Sequence, residues 1–313
     1  MAPLAFTTSL QREFSLLMNS ANSAGPIRCW ITPSVANLSA ISSVWTTLLT
    51  AALSASIRSL GVPAGATIDF TAEPKEGWTP FDPKLAPAPG GTEHKISLSA
   101  EEQKIEVAPG VTQQLWTFNG QTPGPILRGK VGDLFTITLT NDGKMGHSID
   151  FHASKVAWND KMRSIKPGES LIYQYKAKFA GIFMYHCGTP PALHHIGNGM
   201  YGALIVDPPV LAPVDHEYLI VQSELYLGPQ GQPGDLTKMQ HEAWDAVVFN
   251  GYASQYKFSP IRVEPDERIR VWVLDAGPSE NSAFHVVGTV FDTVYKEGTY
   301  LLQPDDRRGG SQV

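Results

Sequence analysis

One short segment of the sequence brings together a cysteine, a histidine and a methionine. Cys187 ends a β-prone run, His195 follows in a turn-rich loop, and Met200 comes five residues after His195. A thiolate, an imidazole and a weak thioether suit copper that cycles between two oxidation states in a nearly fixed geometry. The segment therefore predicts three ligands of a type 1, or blue, copper site. His194 competes with His195, but only His195 has the five-residue spacing to Met200.

The fourth ligand of such a site should come from another strand that packs alongside. His147, in the motif GHSIDFH, is the natural candidate. Taken singly, Cys187 would be interpreted as a small buried hydrophobe and Met200 as an ordinary core residue. Their joint spacing with His195 favours the metal site over that interpretation.

Alternation along the strands separates a second group of polar residues from the first. Successive side chains of a strand point to opposite faces, so His186 points outward if Cys187 points into its domain. By the same parity, Asp150 and His152 point outward if His147 points inward. Two imidazoles and a carboxylate on one external face predict a second copper without a thiolate, open to solvent or substrate. The alternative is that these are ordinary polar side chains on a solvated strand.

The other histidines of the first and second halves show no such grouping. His94, His216 and His241 stand singly in loops or near strand ends. We therefore expect them at the surface.

Short β-prone runs separated by turn signals position these residues. The runs recur from residue 94 onward, without amphipathic helices between them. Two motifs recur as well: Phe118-Asn119-Gly120 is matched by Phe249-Asn250-Gly251, and Phe151-His152 by Phe284-His285. The pattern predicts an all-β protein with two tandem sandwiches, residues 94–208 and 209–313, that derive from one duplicated unit.

The segment before residue 94 has a different character. Residues 1–62 include an apolar run at residues 45–53 that resembles the core of a signal peptide. This run predicts export or membrane anchoring, and hence an extracytoplasmic location in the periplasm or at the cell surface; a disordered start is the alternative. Residues 63–93 are rich in proline and glycine and are predicted to form a linker or extended arm.

Composition narrows the class of partner. The chain has 313 residues, 24 Lys and Arg against 30 Asp and Glu, and a net charge of -6, with no dense basic run. These values give no electrostatic reason to expect nucleic acid and favour a small or redox partner. Cys29 and Cys187 are the only cysteines, which excludes a disulfide framework.

The residues of both predicted sites, with the segments around them, resemble the copper-containing nitrite reductases. The resemblance runs from residue 94 to 313 through FNGQTPGPILRGKVGD, HSIDFH, FMYHC, HHIGNGMYGALIV and FHVVGTVFDTVY. It implies tandem cupredoxin-like Greek-key β-sandwiches and two kinds of copper. The implied functional residues are His147, Cys187, His195 and Met200 for type 1 copper, His152 and His186 for type 2 copper, and Asp150 and His285 for catalysis.

The resemblance also implies an activity and an assembly. Members of this family reduce nitrite to nitric oxide in denitrification. An electron from a small redox donor, a blue-copper protein or a cytochrome c, enters at type 1 copper and passes to type 2 copper. The members are homotrimers whose type 2 site lies between the first domain of one subunit and the second domain of its neighbour. His285 is therefore expected to act across a subunit interface, paired with Asp150.

The sequence departs from the family pattern in one respect. The third type 2 histidine of the family lies well beyond a Gly-Gly-Ser segment, and here that segment, Gly309-Gly310-Ser311, comes two residues before the last residue. We therefore expect an incomplete second sandwich and a chain that is a fragment of a longer protein. Without that ligand, the nitrite reductase activity of the chain is in doubt.

Three other functions fit parts of the pattern. A laccase-like multicopper oxidase would use the same domains and type 1 site, but its trinuclear cluster requires His-x-His pairs, which this sequence lacks. A non-catalytic blue-copper electron-transfer protein would bind type 1 copper alone and leaves the grouping of Asp150, His152 and His186 unexplained. A metal-free sandwich used in adhesion or scaffolding would need neither site.

Overall fold

The computed structural model describes residues 14–18, 27–33 and 65–295. The apolar run at residues 45–53 and the Gly-Gly-Ser segment lie outside these ranges, so the expectations placed on them stay predictions. Within the described ranges, no helix has the length and apolar character needed to cross a membrane.

The described residues are mostly strands, and the helices are short, which confirms the all-β prediction. The strands are β1 (Phe14–Met18), β2 (Ile27–Pro33), β3 (Glu93–Ala108), β4 (Val111–Phe118), β5 (Leu127–Lys130), β6 (Leu134–Asn141), β7 (Asp150–Phe151), β8 (Ser170–Lys176), β9 (Gly181–His186), β10 (Tyr201–Asp207), β11 (His216–Leu225), β12 (Ala246–Phe249), β13 (Arg262–Val263), β14 (Ile269–Asp275) and β15 (Phe284–Val287). The helices are α1 (Trp158–Lys161), α2 (Ala192–Gly197), α3 (Leu236–Gln240) and α4 (Gln255–Phe258).

Two four-stranded sheets form the first sandwich. Their strand orders are β4-β3-β6-β8 and β5-β10-β9-β7, and residues of both sheets share one apolar core. Burial alternates along β6, where Phe135, Ile137 and Leu139 face the core while the residues between them are partly exposed. The same alternation runs along β8. This period of two is expected of a sheet that has one packed and one solvated face.

Strand β10 is buried along its whole length because it has a core on each face. Leu204 and Val206 belong to the core of the first sandwich, whereas Tyr201, Ala203 and Ile205 pack with residues of β11 and β14. Burial on both faces explains the unbroken apolar run at this point of the sequence. The two halves of the chain are therefore joined through a shared apolar layer.

The second half of the described chain contains a three-stranded sheet in the order β12-β11-β14. A further sheet has the order β13-β2-β1-β15. The stretch predicted as a linker lies against β11 as an extended arm. Leu85 N–H donates to the carbonyl of Glu217 at 2.9 Å, and Leu219 N–H donates to the carbonyl of Pro83 at 2.8 Å. These bonds attach the chain segment before the first sandwich to the second half.

The two copies of the Phe-Asn-Gly motif adopt the same turn. The asparagine and glycine have φ angles of 55° and 70° in the first copy, and of 52° and 83° in the second. The side-chain oxygen of Asn119 accepts from Ser99 N–H in β3 at 2.7 Å, and that of Asn250 accepts from Val221 N–H in β11 at 2.8 Å. Asparagine and glycine tolerate left-handed backbone, so the motif itself favours this turn. The shared geometry supports the predicted duplication.

A buried ion-pair network crosses the junction between the two halves. Nη2 of Arg128 in β5 lies 3.1 Å from a carboxylate oxygen of Asp207 in β10 and 2.7 Å from one of Glu217 in β11. Arg270 of β14 contacts the other oxygen of Glu217. The side chains of Arg128 and Asp207 are only 8% and 12% exposed. Loss of Arg128 would therefore leave the Asp207 carboxylate without its hydrogen-bonded cation in a poorly solvated place.

Replacing Arg128 with methionine should lower the free energy of unfolding by about 3 kcal/mol, because breaking a buried ion pair leaves the remaining charge uncompensated. Urea unfolding followed by tryptophan fluorescence measures the change. The matched control is Arg163→Met, since Arg163 and Glu169 form a 3.8 Å ion pair whose side chains are 53% and 47% exposed. Exposed pairs contribute only about 0–1 kcal/mol. Equal losses in the two variants would contradict the role given to the network.

Candidate metal centres

His147, Cys187 and His195 come together in a buried cluster. Their ligand atoms all lie within 4.8 Å of one another, and the residues are 0%, 0% and 4% exposed. His147 lies between β6 and β7, Cys187 directly follows β9, and His195 belongs to α2. Three segments that are separate in sequence thus converge on one place.

The pairing of β9 with β10 places Met200 beside this cluster. Tyr201 is the register partner of His186, so the next positions, Met200 and Cys187, face each other as well. Cys187 N–H donates to the carbonyl of Met200 at 3.0 Å, and Met200 is fully buried. Residues that oppose each other in an antiparallel pair project to the same face. The structure therefore groups the four residues predicted as type 1 ligands.

A buried asparagine holds the loop that carries His147. The side-chain amide of Asn141 donates to the carbonyls of Met145 and Ile165 at 2.7 and 2.9 Å. His147 and Ile165 also exchange two backbone hydrogen bonds, of 3.1 and 2.7 Å. Because these bonds fix the loop from both sides, the imidazole of His147 is preorganised within the cluster.

Three ring nitrogens of this cluster lack hydrogen-bond partners among the described residues, whereas Nδ1 of His195 lies 3.2 Å from the carbonyl of Pro191. Both ring nitrogens of His147 and Nε2 of His195 are buried without a hydrogen bond to any described residue. Cys187 is a free thiol, and the N–H of Ser148 approaches its Sγ at 3.4 Å. Buried polar atoms are nearly always paired, so unpaired imidazole nitrogens around a thiol need an explanation. A donor set of two imidazoles, a thiolate and a thioether fits copper.

Burial keeps the two imidazoles of the cluster neutral at neutral pH. It lowers the pKa of His147 to about 4, with His195 acting in the same direction and Glu102 opposing the shift. Burial likewise lowers the pKa of His195. A neutral imidazole has the free lone pair that a metal ion requires. His194 instead directs its Nε2 to the carbonyl of Gly234 at 3.1 Å, which favours His195 over His194 as the ligand.

Asp150, His152 and His186 form a second cluster, whose ligand atoms also lie within 4.8 Å of one another. Asp150 of β7 is the register partner of His186 of β9, so the two side chains lie next to each other. Nε2 of His186 is 3.0 Å from Nε2 of His152 and 3.8 Å from Oδ2 of Asp150. The neighbours Phe151 and Cys187 are buried in the core. The alternation that predicted this cluster is therefore present in the structure.

The ring of His186 is held so that one nitrogen remains for a metal. Its Nδ1 lies 2.9 Å from the carbonyl of Cys187 and donates to it, which leaves the lone pair on Nε2. Burial, followed by the nearby His186, lowers the pKa of His152, so this ring is neutral at neutral pH. Two imidazole nitrogens that face each other beside a carboxylate fit a cation. The side chains of His186 and Asp150 are 15% and 25% exposed, so the second cluster is open to solvent.

His285 lies outside both clusters. It belongs to β15, and its Nδ1 is buried without a hydrogen-bond partner among the described residues. Within one chain, the structure therefore does not bring His285 into the group that contains Asp150. The predicted pairing of these two residues across a subunit interface stays a prediction.

The prediction of a surface position is wrong for one of the remaining histidines. The side chain of His94 is 9% exposed, and its Nε2 lies 2.7 Å from Oδ2 of Asp133. The physical reason is the alternation along β3, because His94 lies four residues before Leu98 and therefore faces the same, inward side of the strand. A polar ring in that position needs a buried hydrogen-bond acceptor. His216 is partly exposed and pairs with a glutamate, and His241 is exposed as predicted.

Two residues beside the first cluster were missed by the sequence analysis. Oε1 of Glu102 lies 3.7 Å from Nε2 of His147. The ring of Trp116 packs against that of His195, with centroids 4.6 Å apart. Alternation along β3 could have identified Glu102, because it lies two residues after the buried Ala100 and therefore faces the same side of the strand. A carboxylate is rarely found at a core-facing position without a partner.

The fold and the two clusters define a protein of the cupredoxin and multicopper oxidase class. The family described as multicopper oxidase matches residues 99–210. The copper-containing nitrite reductase of Neisseria gonorrhoeae is 34% identical over 218 residues, which cover 66% of this chain but only 56% of that protein. The copper-containing nitrite reductase of Alcaligenes xylosoxydans xylosoxydans is 32% identical over 251 residues, which cover 72% of this chain and 75% of that protein.

Solved structures agree with these relatives. A copper nitrite reductase from Nitrosomonas europaea is 38% identical with a TM-score of 0.61, over 66% of this chain and 76% of that one. A multicopper oxidase is 27% identical with a TM-score of 0.60, over 74% of this chain and 80% of that one. The chain belongs to the copper-containing nitrite reductase family, within the multicopper oxidase superfamily. Copper is the cofactor that this membership supports.

Replacing His195 with glycine should abolish the intense blue absorption of the copper-loaded protein and lower its copper content by one ion per chain. His195 would no longer supply the imidazole that completes the first cluster. The matched control is His194→Gln, because glutamine can still donate to the carbonyl of Gly234 and His194 lies outside the cluster. Visible spectroscopy and elemental analysis measure both effects. Loss of colour in the control, with colour retained on replacement of His195, would reverse the assignment.

The metal-free protein should lose stability as the pH falls from about 6.5 to about 4. The pKa of His147 is lowered to about 4 in the folded protein and is about 6.5 in an unfolded chain. The unfolded state therefore binds more protons in this range, so the contribution is complete above pH 6.5 and is lost on acidification. The expected loss from His147 is roughly 3 kcal/mol. Urea unfolding of the metal-free protein at several pH values measures it, and a His147→Asn variant with unchanged pH dependence would refute it.

Proposed function

We propose that this chain belongs to an enzyme that reduces nitrite to nitric oxide, a reaction in which nitrite, one electron and two protons give nitric oxide and water. One observation carries the proposal. His186 and Cys187 are consecutive residues, yet they belong to two different clusters. A buried cluster with a thiol and an open cluster with a carboxylate are thereby connected by a single peptide unit. Membership of the nitrite reductase family supports the same function.

The two clusters have different tasks in this proposal. Copper held at the first cluster would supply a one-electron centre, and copper held at the second would supply a Lewis acid for an anionic substrate. Cys187 and His186 connect the clusters through the backbone and through the 2.9 Å hydrogen bond from His186 Nδ1 to the Cys187 carbonyl. Burial of Cys187 keeps solvent and substrate away from the thiol. Chemistry on a substrate is thus confined to the second cluster.

Asp150 is the residue placed to transfer a proton in the proposed reaction. Its Oδ2 lies 3.8 Å from Nε2 of His186, and its side chain is 25% exposed. A small anion can reach this carboxyl from solvent. With nitrite bound next to His186, the carboxyl of Asp150 would act as a general acid and give a proton to an oxygen of nitrite. With one electron and a second proton delivered to the same oxygen, the nitrogen–oxygen bond breaks, that oxygen leaves as water, and nitric oxide remains.

A homotrimer is part of the proposal. His285 lies outside the second cluster of its own chain, and the family resemblance implies that it faces Asp150 of a neighbouring subunit. There it would hold the carboxyl in place and pass on the second proton. The described residues supply two imidazoles to the second cluster, so the number of coppers per chain is the first quantity to measure.

The electron donor and the location are proposed from the sequence. The donor would be a small redox protein, either a blue-copper protein or a cytochrome c, that delivers its electron near the first cluster. The location would be extracytoplasmic, because the apolar run at residues 45–53 resembles a signal-peptide core.

A blue-copper electron-transfer protein is the second candidate function. It is favoured by the fact that the described residues include all four predicted type 1 ligands, whereas those same residues supply two imidazoles and a carboxylate to the second cluster. The similarity to a multicopper oxidase favours the same first cluster. It does not favour an oxidase, because the sequence lacks the His-x-His pairs of a trinuclear site.

The copper-loaded protein should contain two coppers per chain, show type 1 and type 2 signals in electron paramagnetic resonance, and form nitric oxide from nitrite with a chemical reductant. Asp150→Asn should lower the rate of nitric oxide formation by about 10²–10⁴-fold, the usual contribution of a general acid. The blue absorption should not change in this variant, because Asp150 lies outside the first cluster.

The control is Asp142→Asn, which removes an exposed carboxylate from the loop that leads to His147. Equal rates for the two variants would exclude Asp150 as the proton donor. One copper per chain with a type 1 signal and no nitric oxide would exclude the nitrite reductase function for this chain and support electron transfer instead.

A further inference from the structure

A carboxylate lies against the first cluster on the side of His147. Glu102 of β3 has a side chain that is 6% exposed, and its Oε1 is 3.7 Å from Nε2 of His147. Both carboxylate oxygens accept from the backbone N–H of Lys144, at 2.9 and 3.1 Å. These bonds fasten the carboxylate to the loop that leads to His147, so the two groups are held near each other by the backbone.

Gly143 allows the carboxylate and the imidazole to approach. A β-carbon at this position would lie 3.0 Å from Oε1 of Glu102 and 3.2 Å from Nε2 of His147. A larger residue would therefore crowd both groups. At 3.7 Å the contact is longer than a hydrogen bond but is within the range of a charge interaction. Nε2 of His147 has no hydrogen-bond partner among the described residues, and the carboxylate of Glu102 is a potential acceptor that lies close to it.

The surroundings of Glu102 leave its charge uncompensated and poorly screened. Within residues 65–295, no lysine or arginine side chain forms an ion pair with it. Trp116 of β4 is its register partner, is 5% exposed, and packs against the ring of His195. The indole and the carboxylate thus lie beside a cluster whose imidazoles are buried, with His147 0% and His195 4% exposed. In such a place the effective dielectric constant is low, and a charge acts over several ångströms.

We propose that Glu102 is a positioning residue of the type 1 copper centre and that it lowers the reduction potential of that centre. The inference rests on the assignment of His147 as a copper ligand in the proposed function. Imidazole ligands usually donate their second N–H to a carboxylate or a carbonyl. The carboxylate of Glu102, 3.7 Å from Nε2, favours a proton on that nitrogen, which would leave the lone pair of His147 Nδ1 for copper. Its negative charge stabilises the oxidised centre, which carries one more positive charge than the reduced centre.

The test compares the reduction potentials of copper-loaded wild type and three variants in titrations with redox mediators. Glu102→Gln keeps the shape and an acceptor for Lys144 N–H but removes the charge, whereas Glu102→Asp keeps the charge. Glu101→Gln is the matched control. Glu101 directly precedes Glu102 in β3, points to the opposite face, and accepts hydrogen bonds from the side chains of Ser99 and Gln103. Thermal unfolding verifies that each variant is folded.

We expect Glu102→Gln to shift the one-electron equilibrium toward the reduced centre by about tenfold, which is 59 mV for a one-electron couple. The position of the blue absorption band should shift as well, because the orientation of His147 is less constrained. Glu102→Asp should stay nearer to the wild type, and Glu101→Gln should match it. In the metal-free protein, ¹⁵N NMR should find the ring proton of His147 on Nε2.

Three results would overturn the inference. If the wild type is blue and Glu102→Gln has the same potential and spectrum as Glu101→Gln, the inference fails while the proposed function stands. An equal rise in Glu102→Gln and Glu102→Asp would show that packing rather than charge sets the potential. If the wild type forms no blue centre, the proposed function fails and the inference fails with it.

Discussion

The pairing of β9 with its neighbours β7 and β10 is the constraint on which both clusters depend. It sets His186 opposite Asp150 on one side and opposite Tyr201 on the other, and it brings Cys187 opposite Met200. Because successive residues of a strand point to opposite faces, the end of one strand serves a buried cluster and an open one. A slip of one residue in this register would exchange the two sets of side chains between the faces and destroy both clusters.

This register is protected by the way in which the two halves of the chain pack together. Strand β10 is buried on both faces, so a shift of β9 against β10 would misplace apolar side chains in two cores at once. Arg128 adds a directional constraint, since it connects the end of β10 to β11 through Asp207 and Glu217. The register of β9 against β10 is therefore fixed by the apolar layer and the ion pairs. Neither of these contains a residue of the two candidate metal clusters.

The sequence could predict whatever depends on local periodicity. Alternation alone separated the outward-facing His186 from the inward-facing Cys187, and the repeated Phe-Asn-Gly motif predicted two turns of one geometry. What it could not predict depends on contacts between strands that are distant in sequence. Glu102 and His94 stand at inward-facing positions of β3, but the sequence does not show which group they meet there. Those partners, His147 and Asp133, are supplied by loops and strands of the tertiary fold.

The two clusters differ in the free energy that is needed to keep each of them formed in the absence of metal. A buried polar atom without a hydrogen bond costs about 1–3 kcal/mol, and the first cluster contains such nitrogens on both His147 and His195. Other interactions of the first sandwich must hold this geometry, among them the two hydrogen bonds from the Asn141 amide. The second cluster is partly exposed, so water can solvate its polar atoms and a small anion can enter.

A rigid, dry site favours electron transfer with little reorganisation, whereas an open site favours substrate binding. The two proposed roles therefore follow from the two faces of one strand end.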